Sequence, residues 1–258
     1  GALHDGHLSL VRSALSSHDH VVSSVFVNPA QFAAHEDLGS YPRQLERDAE
    51  LLGREGVRLI FAPDEKEMYG PGYNSLVDVP GFRRTREGMA RPKFFTGVVT
   101  VCTKLFNIVR PDAAYFGQKD AAQCAAIRRV VQDLNMDLDV VVGPTVREAD
   151  GLAMSSRNAY LSPEEREAAP AVHRSLRAGR ALWRERVRAG PVAADDIRAA
   201  VAKELEGEPL IGEVQYVSVD DPETMEPLEE VGEAGCNVSL AVKCGKVRLI
   251  DNEDYKAP

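Results

Sequence analysis

The sequence predicts a two-part α/β protein: a parallel sheet flanked by helices over residues 1–146, and a smaller α+β domain over 147–258. Two observations predict it. Up to about Arg147, short apolar runs alternate with segments of helical period, which implies right-handed crossovers between parallel strands. Beyond Arg147 the texture changes to charged helices followed by consecutive β-rich runs. The first part is therefore expected to be a Rossmann-like layer structure, and the second a smaller α+β domain. At 258 residues the chain can bury a sizeable core and has room for two domains.

Taken in order, Leu8, Val11 and Leu15 recur at helical spacing, so a helix starts near His7. His20 to Val27 (HVVSSVFV) reads as a buried strand ending at Asn28-Pro29. Pro42 suits the first turn of a helix carrying Leu45, Ala49 and Leu52, closed by Gly56. Val57 to Phe61 is the next strand, Val98 to Val109 a mostly buried helix stopped before Pro111, and Ala113 to Phe116 a short strand. Asp120 to Leu134 is a helix and Asp137 to Val142 a strand. In the second part, Ser162-Pro163-Glu164-Glu165 is a capping box with proline at the first helical position, opening a long charged helix. A helix around Asp195 to Glu206 follows, then strands at Glu213 to Val219, Val238 to Val242 and Val247 to Ile250.

Composition narrows the function. The chain is 44% hydrophobic and 28% charged, which reads as soluble and globular. A net charge of −9 argues against a general nucleic-acid binder. No apolar run is long enough to span a bilayer. Cys102, Cys124, Cys236 and Cys244 form no Cys-x-x-Cys pair, so they read as small apolar fillers in a reducing compartment, with a cytoplasmic location expected.

Ligands of open parallel sheets bind beyond the carboxyl ends of the strands, and several polar clusters fall there. His4-Asp5-Gly6-His7 precedes the first helix. The free N–H groups of a helix start favour phosphate, and two imidazoles three residues apart can reach the same group. Half of a metal site, or a plain helix cap, fits the same residues. Asn28-Pro29-Ala30-Gln31 places two amides on a stiff turn, suited to hydroxyl and carboxylate recognition or simply solvated. Gly117-Gln118-Lys119-Asp120, with Gln123 in the following helix, offers a cation for phosphate and a helix cap. Met154-Ser155-Ser156-Arg157-Asn158 offers two hydroxyls and a forked guanidinium for a polyphosphate, or a polar turn. Arg83 to Lys93 is a locally basic segment that reads as a solvated loop. Asp48, with Asp37 and Glu46 as rivals, is a candidate carboxylate for magnesium on a nucleotide.

Together and in this order, these clusters resemble the pantothenate synthetase family. The likeness rests on His4-x-Gly6-His7, Phe26-Val27-Asn28-Pro29-x-Gln31-Phe32, Tyr41-Pro42-Arg43, Phe116-Gly117-x-Lys119-Asp120-x-x-Gln123, Asp150 to Asn158 and Arg248-Leu249-Ile250-Asp251-Asn252. The resemblance implies an ATP-dependent ligase that joins pantoate to β-alanine through a pantoyl adenylate, with Mg2+ on the nucleotide and a homodimer as the assembly. It implies catalytic roles for His4, His7 and Lys119. ATP would be held by Gly6, Gly117, Lys119, Asp120, Val146, Met154, Ser155, Ser156 and Arg157. Pantoate would be held by Gln31 and Gln123 with Asn28 nearby, and Asp48 would approach the metal. Two rivals are a related nucleotidyltransferase acting on another acid, and a catalytically silent binding or dimerisation protein.

The sequence departs from the family at two places. Many members read Arg-Pro-Gly-His-Phe where this chain has Arg91-Pro92-Lys93-Phe94-Phe95, so no role of that histidine carries over. Members also open with a strand leading into Pro-Thr-Met-Gly, of which Gly1 alone is present here. If Gly1 is the true start of the polypeptide, the sheet is expected to lack its first strand, with a cost in stability and ATP affinity; if residues precede it, the longer chain is the natural protein.

Overall fold

The computed structural model describes residues 2–32, 38–39 and 41–256. They divide into two compact units, Gly1–Gln118 with Ala122–Pro144, and Lys119–Ala121 with Thr145–Pro258. In the first unit, α1 (Asp5–Ser17) is followed by β1 (Val22–Ser24), α2 (Leu45–Glu55) and β2 (Leu59–Phe61). Strands β1 and β2 are parallel, with Val22 opposite Leu59, and Leu8, Leu52 and Val57 form the core between these elements. The chain continues through α3 (Glu65–Met68), α4 (Arg86–Ala90), α5 (Phe94–Val109), β3 (Ala113–Gly117), α6 (Ala121–Asp133) and β4 (Asp139–Gly143). Strands β3 and β4 are also parallel, Ala113 to Gly117 running opposite Asp139 to Gly143. The expected parallel α/β pattern is thus present, as two strand pairs that share no hydrogen bonds with each other among the described residues.

Several boundaries differ from the sequence reading. The first strand is three residues long instead of eight, because its partner β2 offers three residues, with one more bond from Val25 N–H to Phe61 O. Helix α2 starts at Leu45, since the Gln44 backbone (φ −133°, ψ 53°) is not helical and leaves Pro42 outside. Leu45 is consequently exposed, while Gly56 closes the helix as expected, in the left-handed region at φ 99°. Helix α5 begins at Phe94, four residues before the expected start, and is stopped by Arg110 in the left-handed conformation just ahead of Pro111. The basic segment is helical in place of the expected loop, while Arg83, Arg84, Arg86 and Lys93 are exposed as expected. A 3-10 turn at Pro80–Arg84 leads into α4, whose first turn Thr85 caps through Gly88 N–H.

The second unit contains α7 (Pro163–Ala168), α8 (Ala171–Arg186), β5 (Val192–Ala193), α9 (Ala194–Glu206), β6 (Ile211–Asp220), β7 (Glu230–Val231), β8 (Cys236–Cys244) and β9 (Val247–Tyr255). The Ser162 capping box and its Pro163 appear as expected. The long helix they were expected to open is instead broken, because Pro170 has no N–H to continue the ladder, and α8 restarts at Ala171. Antiparallel β6, β8 and β9 form one sheet, against which α8 and α9 bury Trp183, Leu176, Ile197 and Leu205. Tyr255 packs against Trp183 at 5.9 Å between ring centroids and donates its hydroxyl to Leu176 O at 2.6 Å. All four cysteines are buried and free, and burial alone pushes the Cys102 thiol up to about 12, so it stays a neutral filler. No helix among the described residues is long and apolar enough to cross a membrane.

Candidate active site

The histidine motif forms the start of α1. Nδ1 of His4 accepts the Gly6 N–H at 3.1 Å, and Nδ1 of His7 accepts the His4 N–H at 3.3 Å, a reciprocal capping box. The plain-cap reading is therefore realised, and it has a chemical consequence. A ring nitrogen that accepts a backbone N–H carries no proton, so each neutral ring carries its proton on Nε2. Both imidazoles are thereby fixed as Nε2–H donors, with ring centroids 3.9 Å apart. The N–H groups of the first turn are themselves occupied, Gly6 on His4 Nδ1 and His7 and Leu8 on His4 O, so the helix end adds only the positive end of its dipole to the same neighbourhood.

Asn28 and Gln31 lie on a 3-10 turn, Pro29–Gln31, packed on the start of α5. Asn28 is 3% exposed and uses its amide fully within the protein. Its Nδ2 donates to Gln31 Oε1 (3.2 Å) and Gly97 O (3.1 Å), and its Oδ1 accepts from Ala30 N–H (3.2 Å) and the Tyr69 hydroxyl (2.6 Å). Burial, reinforced by Tyr73, pushes the Tyr69 phenol up to about 12, which keeps that hydroxyl a donor. Because Gln31 Oε1 faces Asn28, the Gln31 NH2 group is the end presented elsewhere. Asn28 is thus the residue that orients Gln31. From the basic segment, Arg91 donates to Gln31 O at 3.0 Å, pairs with Glu87 and covers the Phe94 ring at 3.9 Å.

Two residues of this group escaped the sequence reading. Gly97 permits the close approach of the turn, since a Cβ there would sit 2.3 Å from Ala30 O. A glycine inside an apolar helix was the available signal. Tyr69 had none, because it reaches Asn28 from 41 residues away.

Asp48 is 1% exposed on α2. Its Oδ1 accepts the Leu3 N–H at 2.9 Å, directly before the histidine motif, and its Oδ2 is buried without a hydrogen-bond partner. A buried carboxylate oxygen left this way favours a cation or a donor. Its rival Glu46 lies exposed in the first turn of α2, and Asp37 lies outside the described residues, as does Gly1. Among the described residues no cluster of three or more metal-ligating side chains occurs. Gly117 ends β3, and Gln123 lies half-buried in the first turn of α6.

The cationic group lies in the second unit. Lys119 and Asp120 occupy a 3-10 turn, Gln118–Asp120, and the Lys119 carbonyl accepts from Asn252 Nδ2 at 2.8 Å. Val146 and Met154 are joined by Met154 N–H to Val146 O at 3.0 Å, across a hairpin in which Arg147 bridges Ala153. That hairpin runs into Ser155, whose Oγ caps the 3-10 turn Ser156–Tyr160 by accepting the Arg157 N–H at 3.3 Å. Arg147 forks onto Asp251 at 2.6 and 3.0 Å, a pairing the sequence reading missed because the partners are 104 residues apart.

Histidine donors, oriented amides and a cation-bearing turn match the features that carried the sequence resemblance, and comparison with known proteins agrees. The profile of the family described as pantoate-beta-alanine ligase matches residues 1–254. The chain belongs to that family. A pantothenate synthetase of Roseiflexus sp. (strain RS-1) is 52% identical over 252 residues, which are 98% of this chain and 88% of that relative. The crystal structure of pantothenate synthetase from Thermus thermophilus shares 44% identity at a TM-score of 0.92, covering 99% of this chain and 91% of its own. A pantoate-beta-alanine ligase from Francisella tularensis, complexed with beta-gamma ATP and beta-alanine, shares 32% identity at a TM-score of 0.78, covering 99% and 87%. The family membership expected from the motifs is borne out, and so is the α/β fold class. A family member is an ATP-dependent ligase, so the silent-protein rival gains no support.

Proposed function

We propose that this chain makes pantothenate from pantoate and β-alanine in two steps with ATP as co-substrate. The pantoate carboxylate attacks the α-phosphorus of ATP, the bond from that phosphorus to the bridging oxygen breaks, and pantoyl adenylate and pyrophosphate form. The β-alanine amine then attacks the acyl carbon, loses a proton, and AMP departs. Catalysis of this kind needs positioning and charge neutralisation and no protein nucleophile. The observation that supports the reading most is the family match over residues 1–254. The ATP and β-alanine named for the Francisella relative are consistent with it.

In this reading His4 and His7 donate through Nε2–H to the phosphates, beside the backbone of Gly6. Gln31, oriented by Asn28, offers its NH2 to pantoate, with Gln123 as second contact. Lys119 neutralises charge growing at the α-phosphate, while Ser155, Ser156 and Arg157 hold the polyphosphate. Gly117, Asp120, Val146 and Met154 line the nucleotide. Asp48, through its unpartnered Oδ2, is the carboxylate suited to a nucleotide-bound Mg2+. The metal would draw charge from the phosphate oxygens. A homodimer, a cytoplasmic location and closure of residues 147–258 as a lid belong to the same proposal. Sedimentation, and scattering with and without ATP plus pantoate, test assembly and closure.

The chemistry is tested by pyrophosphate exchange. Labelled pyrophosphate should enter ATP in the presence of pantoate and Mg2+ without β-alanine; exchange that requires β-alanine refutes the adenylate. Lys119→Ala should slow adenylation by about 10²–10³-fold, as loss of one preorganised charge-stabilising group does.

A further inference from the structure

We propose that Asn252 is a positioning residue that acts through Lys119, and that its neighbour Asp251 holds the Ser155–Arg157 segment from the same strand. The inference rests on the reading of Lys119 as a phosphate contact. Asn252 lies on β9, 4% exposed and 133 residues from Lys119 in sequence. Its Oδ1 accepts from Asn237 Nδ2 at 3.1 Å, and Asn237 is itself 1% exposed and tied to Asp254 at 2.8 Å. The oxygen end of the Asn252 amide is therefore fixed, and its NH2 end faces the Lys119 carbonyl at 2.8 Å. The turn it holds, Gln118–Asp120, has three residues. Such 3-10 turns have poor internal hydrogen-bond geometry, so an outside bond to the lysine's own carbonyl has a large say in where its side chain starts.

Asp251, next along β9, has a side chain 1% exposed and takes the Arg147 fork at 2.6 and 3.0 Å. Arg147 also donates to Gly151 O (3.1 Å) and Asn252 O (3.4 Å), closing the hairpin that leads into Met154 and Ser155. The Asn252 N–H in turn donates to Asp251 Oδ1 at 2.8 Å. Two adjacent residues of one strand thus hold the lysine turn and, through Arg147, the hairpin that leads into the Ser155–Arg157 segment. Asp-Asn at this point of the chain reads as a strand end in sequence; the contacts give it a role in positioning.

The test is a double-mutant cycle in the full chain, read by pantoate-dependent pyrophosphate exchange and thermal melts. Asn252→Ala is expected to lower kcat at least about tenfold, the scale of a sub-ångström misplacement of a reacting group, with little change in KM for pantoate. In the Lys119→Ala background the same substitution should cause no further loss. A loss in that background equal to the loss in the wild type overturns the inference, as does wild-type kcat in Asn252→Ala. If Asn252→Ala fails to fold, Asn252→Asp keeps the size and the acceptor for Asn237 while removing the donor, and the same cycle applies. Normal turnover by Lys119→Ala would refute the Lys119 reading itself, and is distinguished by that single variant. A purely structural Asn252 would lower the melting temperature and leave kcat unchanged below it.

Discussion

Replacing Gly97 with alanine tests whether the Asn28–Gln31 turn depends on close backbone approach. A Cβ placed on the Gly97 backbone would meet Ala30 O at 2.3 Å, Ala30 C at 2.6 Å and Gln31 N at 2.8 Å. All three are backbone atoms, so no rotamer change relieves the clash. To regain 3.0 Å the turn and α5 must separate by at least about 0.7 Å, since Cβ atoms are essentially never closer. That shift, taken along the 3.1 Å bond from Asn28 Nδ2 to Gly97 O, stretches it to about 3.8 Å, beyond hydrogen-bonding reach. Asn28, which sets the Gln31 amide, then loses one of the bonds that hold its own. Overpacking of this kind costs about 1–3 kcal/mol, and misplacement approaching 1 Å costs up to about 10²-fold in rate. The expected outcome is a lower melting temperature and a KM for pantoate raised about tenfold or more in the exchange assay. Gly53→Ala, on α2 with nothing within 4 Å, is the control and should be neutral or slightly stabilising. Wild-type KM and melting temperature in Gly97→Ala would refute the argument.

Three further outcomes follow from the geometry. Tyr69→Phe removes the 2.6 Å donor to Asn28 and should raise KM for pantoate about fivefold, the worth of about 1 kcal/mol, with kcat kept; an unchanged KM would show that Asn28 holds Gln31 unaided. His173 is held below its usual 6.5 by burial first and then by Arg147, so the folded state favours the neutral ring. The stability from its neutrality is present above pH 6.5 and declines as pH falls through 6.5, because the unfolded chain takes the proton first. His173→Gln should therefore flatten the melting-temperature profile between about pH 7 and 5, and an unaltered slope would contradict this assignment. Asp48→Asn keeps an acceptor for Leu3 N–H and removes the charge, so the Mg2+ concentration giving half-maximal exchange should rise several-fold while the fold persists; an unchanged Mg2+ dependence would remove Asp48 from the metal.

Much of this was legible in the sequence because it is local. The Ser162 box and the Gly56 stop depend on neighbours within a few residues, and they appear where expected. The same locality explains the boundary errors. Strand length depends on the partner, so β1 could not be measured from its own apolar run. Pro170 carries the signal for the break in its own identity, a residue without an N–H inside a charged helical pattern. In the basic stretch from Arg83 to Lys93, Arg91 alone departs from the solvated reading, because charge was counted without its partners. Glu87 and the Phe94 ring, which take Arg91 out of solvent, carry no such mark in sequence. Candidate site residues were found as members of motifs, whereas the groups that orient them, Tyr69, Gly97, Arg147 and Asp251, act across 41 to 104 residues.

The two units carry different kinds of candidate group. The first holds neutral donors whose direction is set by other bonds: His4 and His7 by their helix cap, Gln31 by Asn28. The second holds Lys119 and Arg157, whose backbones are fixed by Asn252 and Ser155. Neutral oriented groups discriminate an uncharged hydroxyl from its absence, because a mismatched buried amide is left unpaired. Cations instead stabilise charge wherever it grows, with little demand on the identity of the acid. Under the proposed function, choice of acid would reside with Gln31 and its supports, and rate with Lys119 and its supports. Damage to the Tyr69–Asn28 side should appear in KM for pantoate, and damage to the Asn252 side in kcat. Under the same proposal a chain of net charge −9 would handle a polyanion through a few cations anchored by their backbones, acting locally where the overall charge has little influence.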